Sequence, residues 1–290
     1  MKPALFKYFA PSTTEEALAY LGEYGYEAKL LAGGQSLIPT MNFRLAQPSV
    51  LIDLNNIPEL SYIRNGPDGL RIGAMTRQRD LELNQLVAEN SELIHETMPF
   101  IAHPQIRNRG TAGGSIAHAD PASELPAVML ALNANFLVRS KSGERWIPAS
   151  EFFLGMFSTA LAPEEILVEI AVPPLPARSG WSFLEVARRH GDFALVGVAV
   201  VVSLDKNSRC EQARIALLSV GDGPVVAKKS VQSLIGQTGS DEVIRVVAEI
   251  TARQDIDPPA DIHATAEYRR HLARVLISRA LKQAFKRAEE

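Results

Sequence analysis

Residues 110–121 read Gly110-Thr111-Ala112-Gly113-Gly114-Ser115-Ile116-Ala117-His118-Ala119-Asp120-Pro121. An earlier stretch, Leu30-Leu31-Ala32-Gly33-Gly34-Gln35-Ser36-Leu37, has a similar make-up. Each sets paired glycines beside a hydroxyl residue, with apolar residues around them. A residue without Cβ lets the backbone come close to a ligand and take φ > 0. Successive N–H groups in such a turn point into one concavity and bind anionic oxygens. Serine and threonine hydroxyls add donors. Two such turns from distant parts of a chain suit a diphosphate, one on each side. Neither stretch is a GxGxxG fingerprint or a GxxxxGK[ST] P-loop, so neither of those sites is indicated. Taken singly, each glycine pair is also readable as a plain tight turn after a strand.

The surrounding sequence builds a frame for both stretches. Residues 1 to about 58 read as a small α/β lobe. Phe6–Phe9 is a short strand, and Pro11-Ser12-Thr13-Thr14-Glu15-Glu16 opens a helix, with Ser12/Glu15 or Thr13/Glu16 as a capping box. Ala17, Leu18 and Leu21 carry its apolar face, and Gly25 ends it. Ala28 to Ala32 is a strand that runs into the first glycine stretch. A helix follows with Leu37, Ile38 and Met41, then a strand at Val50–Asp53. Strand, turn, helix is the order that aims N–H groups at an anion.

Residues 59–175 read as a second lobe. A hairpin is expected around Asn65-Gly66-Pro67-Asp68-Gly69, then two or three helices between Arg77 and Ile101. A helix is expected over Pro121–Leu132, strands at Asn135–Arg139 and Ile166–Val172, and a helical turn at Ala149–Phe153. Pro173-Pro174-Leu175-Pro176 marks a boundary. Residues 176–290 then read as a C-terminal domain. Its antiparallel strands are Phe183–Val186, Ala194–Leu204 and Arg214–Ser219. Helices follow near 224–235, 241–253 and 265–288. In the last, Leu272, Val275, Leu276, Ala280 and Ala284 fall at helical spacing and read as core packing.

The chain has 290 residues and a formal net charge of −3, which leaves no electrostatic footprint for nucleic acid. Its single cysteine, Cys210, excludes an internal disulfide and a cysteine-ligated cluster or zinc site made by this chain alone. No apolar run approaches the ~20 residues that span a bilayer. The first residues lack a signal-peptide core. A cytoplasmic protein is expected.

The order Ala32-Gly33-Gly34-Gln35-Ser36, Asp53-Leu54, Gly73-Ala74, Arg107 through Ser115 and Asp120 through Pro126 resembles one family closely. It continues through Pro163-Glu164-Glu165-Ile166-Leu167 and Arg188 through Ala194. The family is the FAD-binding medium subunit of molybdenum hydroxylases, of the carbon monoxide dehydrogenase and xanthine dehydrogenase type. The resemblance implies an α+β chain. Two α/β lobes (1–58 and 59–175) form an FAD-binding fold of the vanillyl-alcohol oxidase/PCMH type, and a C-terminal antiparallel sheet with helices (176–290) follows.

The resemblance also assigns residues. Gly33, Gly34, Gln35 and Ser36, flanked by Ala32 and Leu37, would hold the pyrophosphate of FAD. Thr111, Gly113, Gly114 and Ser115, with Ala112, would take its other side and approach the flavin ring. Asp120 and Glu124 would accept from ribose or ribityl hydroxyls. Either carboxylate is equally explained as a helix N-terminal charge. Xanthine dehydrogenase-like members carry an aspartate where this chain has Glu124. Leu161 matches a position whose backbone meets the isoalloxazine. Phe193 stands where carbon monoxide dehydrogenase-like members carry a tyrosine, and an aromatic there covers a flavin face. Leu184 stands near a lysine of xanthine dehydrogenase-like chains, so no cationic contact is carried over. His103, His118, Arg107 and Arg109 read as structural or peripheral. No residue is assigned to substrate chemistry and none to a metal.

The implied function is electron transfer. A large subunit holds the molybdenum cofactor, and a small subunit holds two [2Fe-2S] clusters. This chain would collect electrons on FAD and pass them to an external acceptor, within a dimer of heterotrimers. The single cysteine argues against the reductase branch, whose FAD subunit carries an extra iron–sulfur cluster. Two other readings are a self-sufficient FAD-dependent oxidoreductase and a flavin-free scaffold homologue.

Overall fold

The computed structural model describes residues 2–290. Near the N-terminus, β1 (Lys7–Phe9) and β2 (Ala28–Leu31) flank β3 (Val50–Asp53), and both pair with it in parallel. α1 (Thr14–Tyr24) joins β1 to β2, and α2 (Leu37–Asn42) lies between β2 and β3. Thr13 caps α1, its hydroxyl accepting from Glu16 N at 3.2 Å. The Glu16 carboxylate returns to Ser12 N at 2.9 Å, so the reciprocal arm of the box reaches one residue further back than expected. Ala17, Leu18 and Leu21 turn inward onto Val50 and Ile52, which is why this stripe forms a helix here.

A second sheet follows. β4 (Ile63–Gly66) and β5 (Gly69–Gly73) form the expected hairpin. Four short helices come next: α3 (Gln78–Leu83), α4 (Gln85–Asn90), α5 (Glu92–Thr97) and α6 (Pro104–Arg107). α7 (Ala112–His118) and α8 (Glu124–Ala131) precede β6 (Asn135–Ser140) and β7 (Gly143–Pro148). α9 (Ala149–Phe152), the small hairpin β8 (Phe153–Gly155) and β9 (Ser158–Thr159), and β10 (Ile166–Val172) complete the unit. The antiparallel order is β4-β5-β10-β6-β7.

Three features differ from expectation. α8 starts at Glu124, not Pro121. Asp120 first closes a turn, its carboxylate accepting from Ala122 N and its carbonyl from Ser123 N. β7 is an edge strand whose first four residues are exposed, so it shows no alternation of apolar residues to read. The β8–β9 pair is too short to leave a periodic signal.

β10 is the hub of the molecule. All its residues are buried. A bulge between Leu167 and Glu169 shifts its phase. Ile166 and Val168 therefore enter the N-terminal core with Leu54 and Ile57, while Leu167, Ile170 and Val172 enter the core under α5, α7 and α8.

Beyond the prolines, β11 (Ser179–Ala187), β12 (Ala194–Leu204), β13 (Cys210–Leu218) and β14 (Val225–Val226) form an antiparallel sheet in sequence order. α10 (Lys228–Leu234), α11 (Asp241–Ile250), a π-helical turn at Thr251–Asp255 and α12 (Ala266–Glu289) follow. Val196, Val198, Val200 and Val202 face α12, while Ala199 and Val201 face the second sheet's core. Both faces of β12 are thus covered, and its continuous apolar run reflects that. Leu272, Leu276, Ala280 and Ala284 of α12 are core, as expected. Val275 instead lines a surface groove with Arg245 and Arg274. Among the described residues no helix is long and apolar enough to cross a membrane.

Candidate functional site

The first glycine stretch leaves β2 at the carboxyl end of the parallel sheet, where such sheets place ligands. Gly34 has φ +73°, a conformation that a Cβ would strain. The N–H groups of Gly33, Gly34, Gln35 and Ser36 donate to no group among the described residues. The carbonyls of Gly34 and Ser36 are engaged by Ile38 N and Thr40 N, which fixes the loop. Gln35 folds back, its side-chain amide donating to Gly33 O at 3.0 Å. Ser36 is exposed, and Ala32 and Leu37 flank it half-buried. A cavity of about 310 Å³ opens here, lined by Ala32, Gly33, Gly34, Gln35, Ile38 and Arg109, among others.

The second stretch is a helix start, not the turn expected. Thr111 caps α7, its hydroxyl accepting from Gly114 N at 3.0 Å. Ala112 N donates to Thr76 O, Gly113 N to Ala74 O and Ser115 N to Thr111 O. All four N–H groups of this stretch therefore have partners inside the chain. Thr111, Ala112 and Gly113 are buried. Only Gly114 and Ser115 are partly open, so this wall offers the Ser115 hydroxyl and a smooth backbone face rather than a row of N–H donors.

The two stretches abut. A Cβ on Gly33 would lie 2.5 Å from the Arg109 carbonyl oxygen, and one on Gly114 would lie 3.3 Å from Ala32 Cβ. Two residues outside both motifs hold them together. Asn55 donates to Ala32 O at 3.0 Å, and Arg77 donates to Asn55 Oδ1 at 2.6 Å and to Arg109 O. Sequence reading stopped at Asp53-Leu54 and missed Asn55. Nothing in the local sequence around Arg77 points to a partner so far along the chain.

Asp120 sits half-buried at the end of α7, one carboxylate oxygen already in its turn. Glu124 is 8% exposed in the first turn of α8. Burial, with a contribution from the Asp120 charge, pushes its carboxyl up to about 7. Glu185 on β11 was not anticipated. It shares the inward face with Phe183, burial and then the Glu124 charge push it up to about 8, and its Oε2 has no hydrogen-bond partner among the described residues. Leu184 points the other way, against the α12 core. A carboxyl held protonated both donates and accepts, which suits sugar hydroxyls better than acceptance alone.

Leu161 packs half-buried on the second core. Phe193 stands 68% exposed at the start of β12, so a planar ligand could cover it at no packing cost. The His118 ring lies 5.0 Å from that of Phe157, tilted by 35°, and burial lowers its pKa. His103 lies over Gly191, 5.9 Å from the His190 ring. Arg107 is buried and bonded to Glu82 and Ile101 O, a structural role as expected. Burial pushes the Cys210 thiol up to about 12, which keeps it unreactive. Among the described residues no group of three or more His, Cys, Asp or Glu could hold a metal.

A row of N–H groups unpaired among the described residues, an adjoining guanidinium and a smooth backbone wall bearing the Ser115 hydroxyl form a donor set that suits a dinucleotide's diphosphate. Residues 4–175 match the family described as "FAD binding domain in molybdopterin dehydrogenase", and residues 181–284 match "CO dehydrogenase flavoprotein C-terminal domain". The chain is 43% identical to the 6-hydroxypseudooxynicotine dehydrogenase complex subunit alpha of Paenarthrobacter nicotinovorans, over 99% of this chain and 97% of that one. It is 41% identical to the caffeine dehydrogenase subunit beta of Pseudomonas sp. (strain CBB1), over 98% and 96%. A solved carbon monoxide dehydrogenase from Hydrogenophaga pseudoflava superposes with a TM-score of 0.96 at 40% identity, covering 99% of each chain. With both of its parts matched in order and relatives aligned end to end, the chain belongs to the FAD-binding medium subunits of the molybdenum hydroxylases.

Proposed function

We propose that this chain binds FAD across the junction of its two glycine motifs and passes electrons from a small iron–sulfur subunit to an external acceptor. The observation that carries this is the row of four unpaired N–H groups at Gly33–Ser36, which opens on a cavity walled by the second motif's approach segment. In this reading that row and the Ser36 hydroxyl hold the pyrophosphate. Ser115 and the open face of Gly114 bound the cofactor on the other side, behind the cap formed by Thr111, Ala112 and Gly113. Asp120 and Glu124 meet its sugar hydroxyls, the Leu161 backbone meets the ring edge, and Phe193 lies on a ring face. Lobes 1–58 and 59–175 grip the cofactor, and residues 176–290 bring Phe193 to it. When bound, FAD supplies both one- and two-electron chemistry, while the protein supplies position and electrostatics. The molybdenum cofactor and the [2Fe-2S] clusters belong to a large and a small partner subunit. We place the assembly, a dimer of such heterotrimers, in the cytoplasm.

The absorption spectrum tests this. The chain purified with its partner subunits should show flavin bands near ~450 and ~370 nm, released as FAD on denaturation. Gly34→Val forces a Cβ into the φ +73° turn and should lower FAD occupancy at least tenfold. A complex that contains molybdenum and iron but no flavin would leave only a scaffold role.

A further inference from the structure

The link between the motifs carries more than geometry. Tyr8 donates to Asp53 Oδ2 at 2.6 Å, and Asp53 Oδ1 accepts from Asn55 N at 2.9 Å and from the Asn55 side-chain amide. That amide also donates to Ala32 O, so its nitrogen end is fixed and its oxygen faces Arg77. Arg77 bridges from Asn55 to the Arg109 carbonyl, and its backbone pairs with Thr111. The next residue, Gln78, donates its N–H to Gly110 O at 2.9 Å. One residue pair thus sets the gap between the first motif and the second.

Asp80 and Asp53 act on Arg77 only through space. Neither Arg77 nor Arg109 forms an ion pair among the described residues, although most arginines of this chain do. Arg77 is partly buried; burial and then the charge of Arg109 lower its pKa, while the charges of Asp80 and Asp53 act the other way. The Arg109 side chain lines the same cavity as the four unpaired N–H groups. A guanidinium is planar and always charged, and it meets phosphate oxygens through two parallel N–H groups.

Resting on the FAD reading above, we propose that Arg109 is the cation of the diphosphate subsite and that Asn55 and Arg77 are its positioning residues. The ligand class is a diphosphate diester or its fragments. The adenine and flavin ends are not needed for this contact.

The test uses the full chain stripped of flavin, with inorganic pyrophosphate and ADP as probes, followed by calorimetry and thermal melting at two salt concentrations. Pyrophosphate should raise the melting midpoint of the wild-type chain, and the shift should shrink at high salt. Arg109→Met should weaken pyrophosphate binding at least tenfold and flatten its salt dependence. Its ligand-free midpoint should stay level, because Arg109 is exposed and forms no ion pair among the described residues. Arg77→Lys keeps the charge but cannot bridge two acceptors. It should retain the salt dependence yet bind FAD several-fold more weakly. An Arg109→Met chain that binds pyrophosphate like wild type overturns the proposal while leaving the FAD reading intact. A fall in its ligand-free midpoint with unchanged binding also overturns it, by making Arg109 a structural residue. A wild-type chain that binds neither FAD nor pyrophosphate removes both.

Discussion

Glu169 is the one charged residue of β10, and it is 5% exposed. Burial would raise its carboxyl, but hydrogen bonds from Tyr62 at 2.6 Å, Arg64 at 3.0 Å and Arg71 at 2.8 Å bring it below the usual range. Arg71 is held in turn over the Trp146 ring. Removing one charged partner leaves a buried carboxylate short of a donor. Arg71→Met should therefore lower stability by about 1.5–3 kcal/mol in urea unfolding. Tyr62→Phe should cost about 1 kcal/mol. A loss within error for Arg71→Met would mean that Tyr62 and Arg64 suffice. Such partners were not legible in the sequence, because Glu169 and Tyr62 meet only once β10 has paired with β5. The same holds for Arg77 and for Glu185. Their roles come from contacts across the fold, whereas the roles proposed for Gly33, Gly34 and Ser36 lie in local order.

At the scale of the element, α7 decides what the second motif does. Thr111 is 2% exposed and caps the helix through Gly114 N. Thr111→Val keeps the shape and loses the acceptor. It should cost about 1 kcal/mol and, by freeing Gly114 N–H beside the cofactor wall, should alter FAD affinity as well. Thr111→Ser should restore both. Thermal melting and FAD titration of the two variants read this out, and equal behaviour of Val and Ser would dismiss the cap. The periodic elements were legible because burial imprints a period: α12 shows an apolar stripe, and β12 shows an unbroken run because both its faces are covered. α7 was not, since Gly-Gly in the first turn of a helix looks like a turn. Neighbouring backbone at Ala74 and Thr76 takes its N–H groups, and no window around residue 113 contains that fact.

The whole molecule is joined where α8 meets the C-terminal sheet, and there Glu124 and Glu185 lie together. Both carboxyls are pushed up, to about 7 and about 8, from an ordinary 4.5. The folded chain therefore binds these protons more tightly than the unfolded chain. Their stabilisation is complete below pH about 4.5 and is lost as pH rises through the folded values. His118, with its lowered pKa, acts in the opposite direction but only below its ordinary 6.5. The flavin-free chain should thus melt lower at pH 8.5 than at pH 6.5, by roughly 2–4 °C for each kcal/mol involved. Glu185→Gln should flatten that slope, and an identical slope in the variant would place the titration elsewhere. β10 also ties the cores together in time. The N-terminal core draws on residues up to Met75 but closes only with Ile166 and Val168. At roughly 5–20 residues per second, a ribosome needs on the order of 5–20 s to supply that strand. Throughout that interval the nascent first lobe presents an apolar face with nothing to cover it. Chains stalled before residue 160 should recruit chaperones and be cut readily by protease within the first lobe, and completed chains should not.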